Sequence, residues 1–248
     1  MTALQGRRPM RTSLYRSRLK EPLEERATAF VSSLAEDFRL MDDDIDQTEA
    51  HIIVLHKGGL ISTKCLGALL VALEKVRGSV EWKKHTGYED VHELIEHRVI
   101  EMTGLTVGGW LQTARSRNDQ VATDVRMSVR RGLNEVSERL LALAEALLNL
   151  AEENVETPML LYTHMQHAQV GTFGHYLLAH VDSLLRSEDR VRDAYSRVNQ
   201  SPLGASVCGG SRFRVGRAAT ARLLGFDGVV ENTLDAVSSR DFLIEVAG

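Results

Sequence analysis

"SRNDQVATDVRMSVRRGLNEVSERLLALAEALLNLAEENVETP", Ser116 to Pro158, decides the fold. After Arg117 no proline interrupts it until Pro158, and Val121, Val125, Val129, Leu133, Val136, Leu140, Ala144, Leu147 and Ala151 recur at spacings of three and four. That period places them on one face of an α-helix. The stretch predicts one helix of about 36 residues, roughly 54 Å long at 1.5 Å per residue. A compact chain of this length has a radius of gyration of only about 18 Å, so such a helix needs neighbours of equal reach.

One neighbour follows "QVGT". Phe173, Tyr176, Leu177, His180, Val181, Leu184, Val191, Tyr195 and Val198 form one face, and Pro202 closes the run. A third helix starts within "NTLDAVSSRDFLIEVAG". The apolar run Phe242, Leu243, Ile244 and Val246 ends without a cap or polar tail, which leads us to expect a truncated chain. The expected architecture is an elongated helical bundle completed by other subunits, by further sequence, or by both.

Upstream the helices are shorter. "DDDIDQTEAHIIVLHKGG" has acids in its first turn and stops at Gly58 and Gly59. Ser62 is the expected N-cap of "STKCLGALLVALEKVRG". "EDVHELIEHRVIEMTG" stripes Val91, Leu94, Ile95, Val99 and Met102 and closes at Gly104. The fold class is all-α: a basic arm (1–20), a small helical domain (21–117), and the first part of a bundle of long antiparallel helices (118–248).

Composition agrees and narrows the functions. Of 248 residues, 43% are hydrophobic and 5% aromatic, with four prolines, which favours helix over sheet. The net charge of -4 hides a basic arm carrying Arg7, Arg8, Arg11, Arg16, Arg18 and Lys20. With Tyr15 its lone aromatic and no sustained amphipathic pattern, the arm is a poor nucleic-acid binder and a poor transit sequence. No apolar run reaches membrane-spanning length, so the cytoplasm is the expected compartment. Cys65 and Cys208 stand in no CxxC pattern, the histidines in no HExxH spacing, and no metal or organic cofactor is expected.

Three polar clusters interrupt the helices. In "TARSRNDQ", Thr113, Ser116, Arg117 and Asn118 lead into the long helix, with Ser116 or Asn118 as N-cap. Free N–H groups there, with arginine and amide donors, could form a carboxylate pocket; an elaborate cap is the alternative. "LLYTHMQHAQ", between the two long helices, holds Thr163, His164, Gln166 and His167. A hydroxyl beside a group titrating near neutrality suits proton transfer, against the alternative of exposed loop histidines. "SPLGASVCGG" with "ENTLDAVSSRD" reads as a turn and a capped helix, without assignable chemistry.

Together, "ARSRNDQVATDVRM", "YTHMQHAQ", "FGHYLLAH", "SPLGA" and "ENTLDAVSSRDF", with "DIDQTEAH" and "EDVHELIEHR", make residues 16–248 resemble the argininosuccinate lyases of the fumarase and aspartase superfamily. The resemblance implies elimination of fumarate from argininosuccinate to give arginine, in arginine biosynthesis and the urea cycle. It implies a cofactor-free homotetramer whose active sites draw on three subunits. By motif, Ser116, Arg117 and Asn118 hold carboxylates with help from Thr163. His164 serves proton transfer, and Thr48, His92 and Gln166 fall at substrate-binding positions.

The chain departs from the family pattern at Gln112 (His in the family), Ala114 (Gly), Thr48 (Ser) and Val170 (Pro). The family's Gly-Ser-Ser loop, which carries the serine assigned as base, falls beyond residue 248, so the expectation is an incomplete chain inactive by itself. Other superfamily lyases, acting on adenylosuccinate or aspartate, and a non-catalytic helical assembly protein are the competing readings.

Overall fold

The computed structural model describes residues 24–79, 88–213 and 215–248; the basic arm lies outside them. Two short helices, α1 (Glu25–Val31) and α2 (Leu34–Asp37), precede α3 (Met41–Lys57), α4 (Thr63–Arg77) and α5 (Val91–Thr103). The local signals act as read. The Ser62 side chain accepts the Cys65 N–H to start α4, and Asp90, a cap not read from the sequence, accepts the Glu93 N–H to start α5. Gly58, Gly78 and Gly104 end the three helices. Ile45, Ile52, Leu55, Leu69, Leu73, Leu94, Ile95 and Leu111 interlock as their shared core. Of the expected α5 stripe, Met102 is exposed instead.

After the single turn α6 (Leu105–Gly108), α7 runs without a break over Arg117–Glu153, 37 residues. At 1.5 Å per residue it is about 55 Å long. Helix α8 (Phe173–Val198) returns antiparallel along it. Between them the chain is not a plain loop. Strands β1 (Pro158–Thr163) and β2 (Gln166–Thr172) pair antiparallel, from Pro158 opposite Thr172 to Thr163 opposite Gln166, with an irregularity between Leu161 and Tyr162. The hairpin is a local addition to an architecture that is helical as expected, and its reason lies in composition: Leu160, Leu161, Tyr162, Thr163 and Val170 suit a strand, and the hairpin pairs backbone groups that no helix takes up.

The remainder folds against the first half of α7. Strands β3 (Gln200–Ser201) and β4 (Gly228–Val229) pair parallel, with α9 (Arg217–Leu223) between them. The expected third long helix is two pieces, α10 (Thr233–Ser238) and α11 (Asp241–Ala247), split where Ser239 turns extended. Phe242 packs on Leu133 and Val198, and the Arg126 guanidinium lies 4.1 Å over its ring.

Cover for α7 is therefore uneven. Leu133, Ala144 and Ala151 of its expected stripe are buried, whereas Val136 is exposed. Leu141, Leu143, Leu148 and Leu150 of α7, with Tyr176, Leu178 and Leu185 of α8, present apolar surface outward.

The α7–hairpin–α8 junction depends on one glycine. A Cβ on Gly174 would stand 2.7 Å from the Ala151 carbonyl oxygen and 3.1 Å from that of Asn154, whereas one on Gly132, midway along α7, would meet nothing within 4 Å. Gly174→Ala is expected to lower the unfolding free energy by about 1–3 kcal/mol. Gly132→Ala is expected to raise it by about 0.5–1 kcal/mol through helix propensity. Urea denaturation of both variants checks the pair, and a neutral Gly174→Ala would show that the junction is not close-packed.

Candidate active site

The polar stretch before α7 is organised as a capping box. Ser116 is the N-cap with extended backbone; its hydroxyl accepts the Asn118 N–H, and Asp119 Oδ1 accepts the Ser116 N–H at 2.9 Å. The choice between the two caps falls to Ser116. Asn118 is exposed, and its Nδ2 donates to the Val207 carbonyl at 3.0 Å. The second oxygen of Asp119 accepts the Gly204 and Ser206 N–H groups at 2.9 and 2.8 Å, so one carboxylate fastens "SPLGASVCGG" over the helix start. Gly204, at φ +88°, has no room for a Cβ, which would meet Arg217 Cγ at 2.7 Å. Burial pushes Asp119 above the ordinary carboxylate range, against the pull of these N–H donors.

Arg117 is half-buried and held at two points. Its Nε lies 3.1 Å from Asp90 Oδ2 at the start of α5, and its Nη1 donates to Gln120 Oε1 at 3.1 Å. Below it, buried Arg115 donates to the Thr48 hydroxyl at 2.8 Å. Thr48 is 1% exposed and His92 2% exposed, so both positions read as substrate-binding lie beneath the surface. His92 Nδ1 stands 3.2 Å from Asp44 Oδ1 and 3.5 Å from Asp124 Oδ2.

This buried layer was largely missed from sequence. Asp44 looked like a dipole-favoured acid in a first turn, yet Asp44, Gln47, Thr48 and His51 follow the three-and-four spacing of a core stripe and are all buried. That spacing, applied to polar residues, was the available signal. Gln120 and Asp124 face them from α7: Gln120 Nε2 donates to Asp44 Oδ1 at 2.5 Å, and Gln47 Nε2 donates to Asp124 Oδ1. Burial and the Asp44 charge push Asp124 well above the usual carboxylate range. Burial would also raise Asp44, but the His92 and Arg115 charges and the Gln120 N–H outweigh it and hold Asp44 low. Potential ligand atoms of Asp44, His92 and Asp124 lie within 4.8 Å of one another, a spacing a metal ion could use. Both carboxylates, however, already accept amide N–H groups from Gln47 and Gln120.

Thr163, His164 and Gln166 lie elsewhere. Thr163 and Gln166 are the last pair of the hairpin, and His164 and Met165 form its two-residue turn at φ +46° and +56°. All three are exposed. Since α7 begins at Ser116 and the hairpin follows its far end, about 55 Å of helix separates this tip from the Ser116 cluster within one copy. The structure brings Ser116, Arg117, Asn118, Thr48 and His92 to one end of α7, and Thr163, His164 and Gln166 to the other.

Backbone strain concentrates at these same two places. Among the described residues the non-glycine positive-φ positions are Ala114 and Ser206, flanking the α7 cap, and His164 and Met165 at the hairpin tip. Left-handed backbone costs an L-residue roughly 1–2 kcal/mol and persists where surroundings impose it. At Ala114, φ +65° explains in physical terms why the resembled motif has glycine there.

The sequence profile of a family described as lyase matches residues 17–248. The argininosuccinate lyase of Nitrosopumilus maritimus is 44% identical over 232 residues, covering 94% of this chain and 48% of the relative. That of Geobacillus thermodenitrificans is 43% identical over 237 residues, covering 94% of this chain and 51% of the relative. Among solved structures, an EDDS lyase variant with bound fumarate superposes with a TM-score of 0.76 at 29% identity, over 88% of this chain and 43% of that one. The chain spans about half the length of the curated relatives it matches.

Two measurements check the geometry. Ala114→Gly is expected to raise stability by about 1 kcal/mol, read by urea denaturation, by relieving the left-handed strain; a loss would show that alanine is accommodated without cost. His51 is buried, with Nε2 2.8 Å from the Thr113 carbonyl oxygen, and its pKa is lowered to about 3 by burial and by the Arg115 charge. The unfolded chain therefore takes up a proton near pH 6.5 that the folded chain refuses. Stability from this group is full above that pH and declines by about 1.4 kcal/mol per unit as pH falls toward 3. Urea titrations across the window should show this slope in the wild type and its loss in His51→Gln; an unchanged slope would assign the acid sensitivity elsewhere.

Proposed function

The chain belongs to the lyase family, and from that premise we propose that it supplies two walls of an argininosuccinate lyase site, assembled between copies of the chain. The carrying observation is that the capped start of α7 presents Ser116, Arg117 and Asn118 together, in a chain 44% identical to an argininosuccinate lyase. The relatives hold as much sequence again, so the activity is proposed for an assembly that includes that second half, in cis or in trans.

Elimination removes a proton from the carbon beside a carboxylate and expels the nitrogen from the neighbouring carbon. Negative charge builds toward the carboxylate as the C–H bond breaks. Fixed donors at the α7 start, namely the helix N–H groups, the Arg117 guanidinium and the Asn118 amide, stabilise that charge more in the transition state than in the substrate. Thr163 and Gln166 add donors from the hairpin tip, and His164 carries the proton-transfer role, directly or through a partner. Thr48 and His92 act from beneath, Thr48 through Arg115. The departing guanidinium nitrogen needs a proton, and the fumarate carboxylates remain against the α7 start.

The two walls are proposed to belong to different copies, because a helix about 55 Å long lies between them in one copy. The outward apolar faces of α7 and α8 supply contact surface for a homotetramer. Residues 21–117 form the helical domain that positions α5 and α3 against α7, and 118–248 the bundle portion. Among the described residues no helix is long and apolar enough to cross a membrane. The proposed setting is the cytoplasm, where a small-molecule biosynthetic step of this kind meets its substrate.

The protein complemented with the second half of a relative is expected to release fumarate from argininosuccinate, and the 248-residue chain alone to release none. In the complemented enzyme His164→Ala should lower kcat about 10²–10⁴-fold. Ser116→Ala should weaken fumarate binding about tenfold while costing only about 1 kcal/mol of stability as a lost cap. Mixing these two variants should recover part of the activity, since some sites then combine two intact walls. Preference for EDDS, adenylosuccinate or aspartate over argininosuccinate would replace the substrate assignment, and assembly without any turnover would favour the non-catalytic reading.

A further inference from the structure

We propose that His92 and Gln120 are positioning residues, which with Asp44 form a buried relay that fixes the Arg117 guanidinium at the start of α7. The path runs through one close contact and two hydrogen bonds. His92 Nδ1 lies 3.2 Å from Asp44 Oδ1, and that oxygen accepts Gln120 Nε2 at 2.5 Å. At the other end of the same amide, Gln120 Oε1 accepts Arg117 Nη1 at 3.1 Å.

The chemistry of each group forces the next. An ionised carboxylate only accepts and a guanidinium only donates, while an amide has one end of each kind. Asp44 therefore takes the –NH₂ end of Gln120 and leaves the carbonyl end facing Arg117. Were Asp44 displaced, only the Gln112 Nε2 donor at 3.3 Å would still hold the Gln120 carbonyl toward Arg117. His92 Nδ1 at 3.2 Å, with Arg115 near it, favours the ionised form of Asp44 and holds its pKa low against the opposing effect of burial. Helix α5 holds Arg117 in a second way, since Asp90, two residues before His92, pairs directly with Arg117 Nε at 3.1 Å. The guanidinium is thus oriented from both Nε and Nη1, and a planar group held at two points keeps one plane. His92 itself stays out of reach of a ligand above the cap, at 2% exposure.

The inference rests on the proposed carboxylate site for what Arg117 does, and on the structure alone for how Arg117 is held. It is tested with fumarate as probe and with the nitrogen-15 resonance of the Arg117 Nε–H group. His92→Asn is expected to weaken fumarate binding about tenfold, but less than twofold in an Arg117→Ala background, because the relay then has nothing to position. Equal weakening in both backgrounds would overturn the relay in favour of general loosening. Gln120→Met, which keeps the volume and breaks both contacts, gives the same comparison should His92→Asn fail to fold. If the wild type binds no fumarate, the carboxylate reading fails and the resonance decides the relay alone. A shifted or exchange-broadened Arg117 signal in Gln120→Met supports it, and an unchanged signal overturns it.

Discussion

A helix of 37 residues must bury an apolar face along about 55 Å, and this chain covers that face fully over only part of the length. Everything else in the architecture follows from how the two ends of α7 are treated. The first half is gripped by α3, α10, β3 and the segment fastened through Asp119. Among the described residues the second half has α8 beside it and little more, with Leu141, Leu143, Leu148 and Leu150 outward. A rigid rod of this length also separates what lies at its ends. Chemistry that needs the Ser116 cluster and the Thr163–His164 tip together therefore needs more than one copy.

The gripped end contains the costly part of the design. Asp44, Asp124, His92 and Arg115 are buried, and isolated buried charges are strongly unfavourable. Here they are brought together from α3, α5 and α7, and the amides of Gln47 and Gln120 bridge them. A network of this type adds little net stability compared with an apolar core, but it admits few alternative arrangements. That is the useful property under a helix start whose donors must keep fixed directions. The left-handed Ala114 and Ser206 on either side of the cap are maintained by the same enclosure.

Much of the helical layout was legible in the sequence because its causes are local. The α7 and α8 periods, the Ser62 cap and the stops at Gly58, Gly78 and Gly104 all act within a few residues. The buried layer was not legible in the same way. Asp44 and Asp42 are both first-turn acids, yet Asp42 is exposed and Asp44 is buried, and the difference is which side of α3 faces α7. The hairpin escaped because its strands are stabilised by each other across the turn at His164 and Met165, and neither strand announces its partner.

The sequence by itself determined the helices, the Ser62 cap and the place of the polar motifs at the two ends of α7, since hydrophobic period and capping are properties of neighbouring residues along the chain. Tertiary structure alone decided that Thr48 and His92 lie beneath the site and that Asp119 ties down a loop some 85 residues away. Those outcomes depend on which surfaces meet in space.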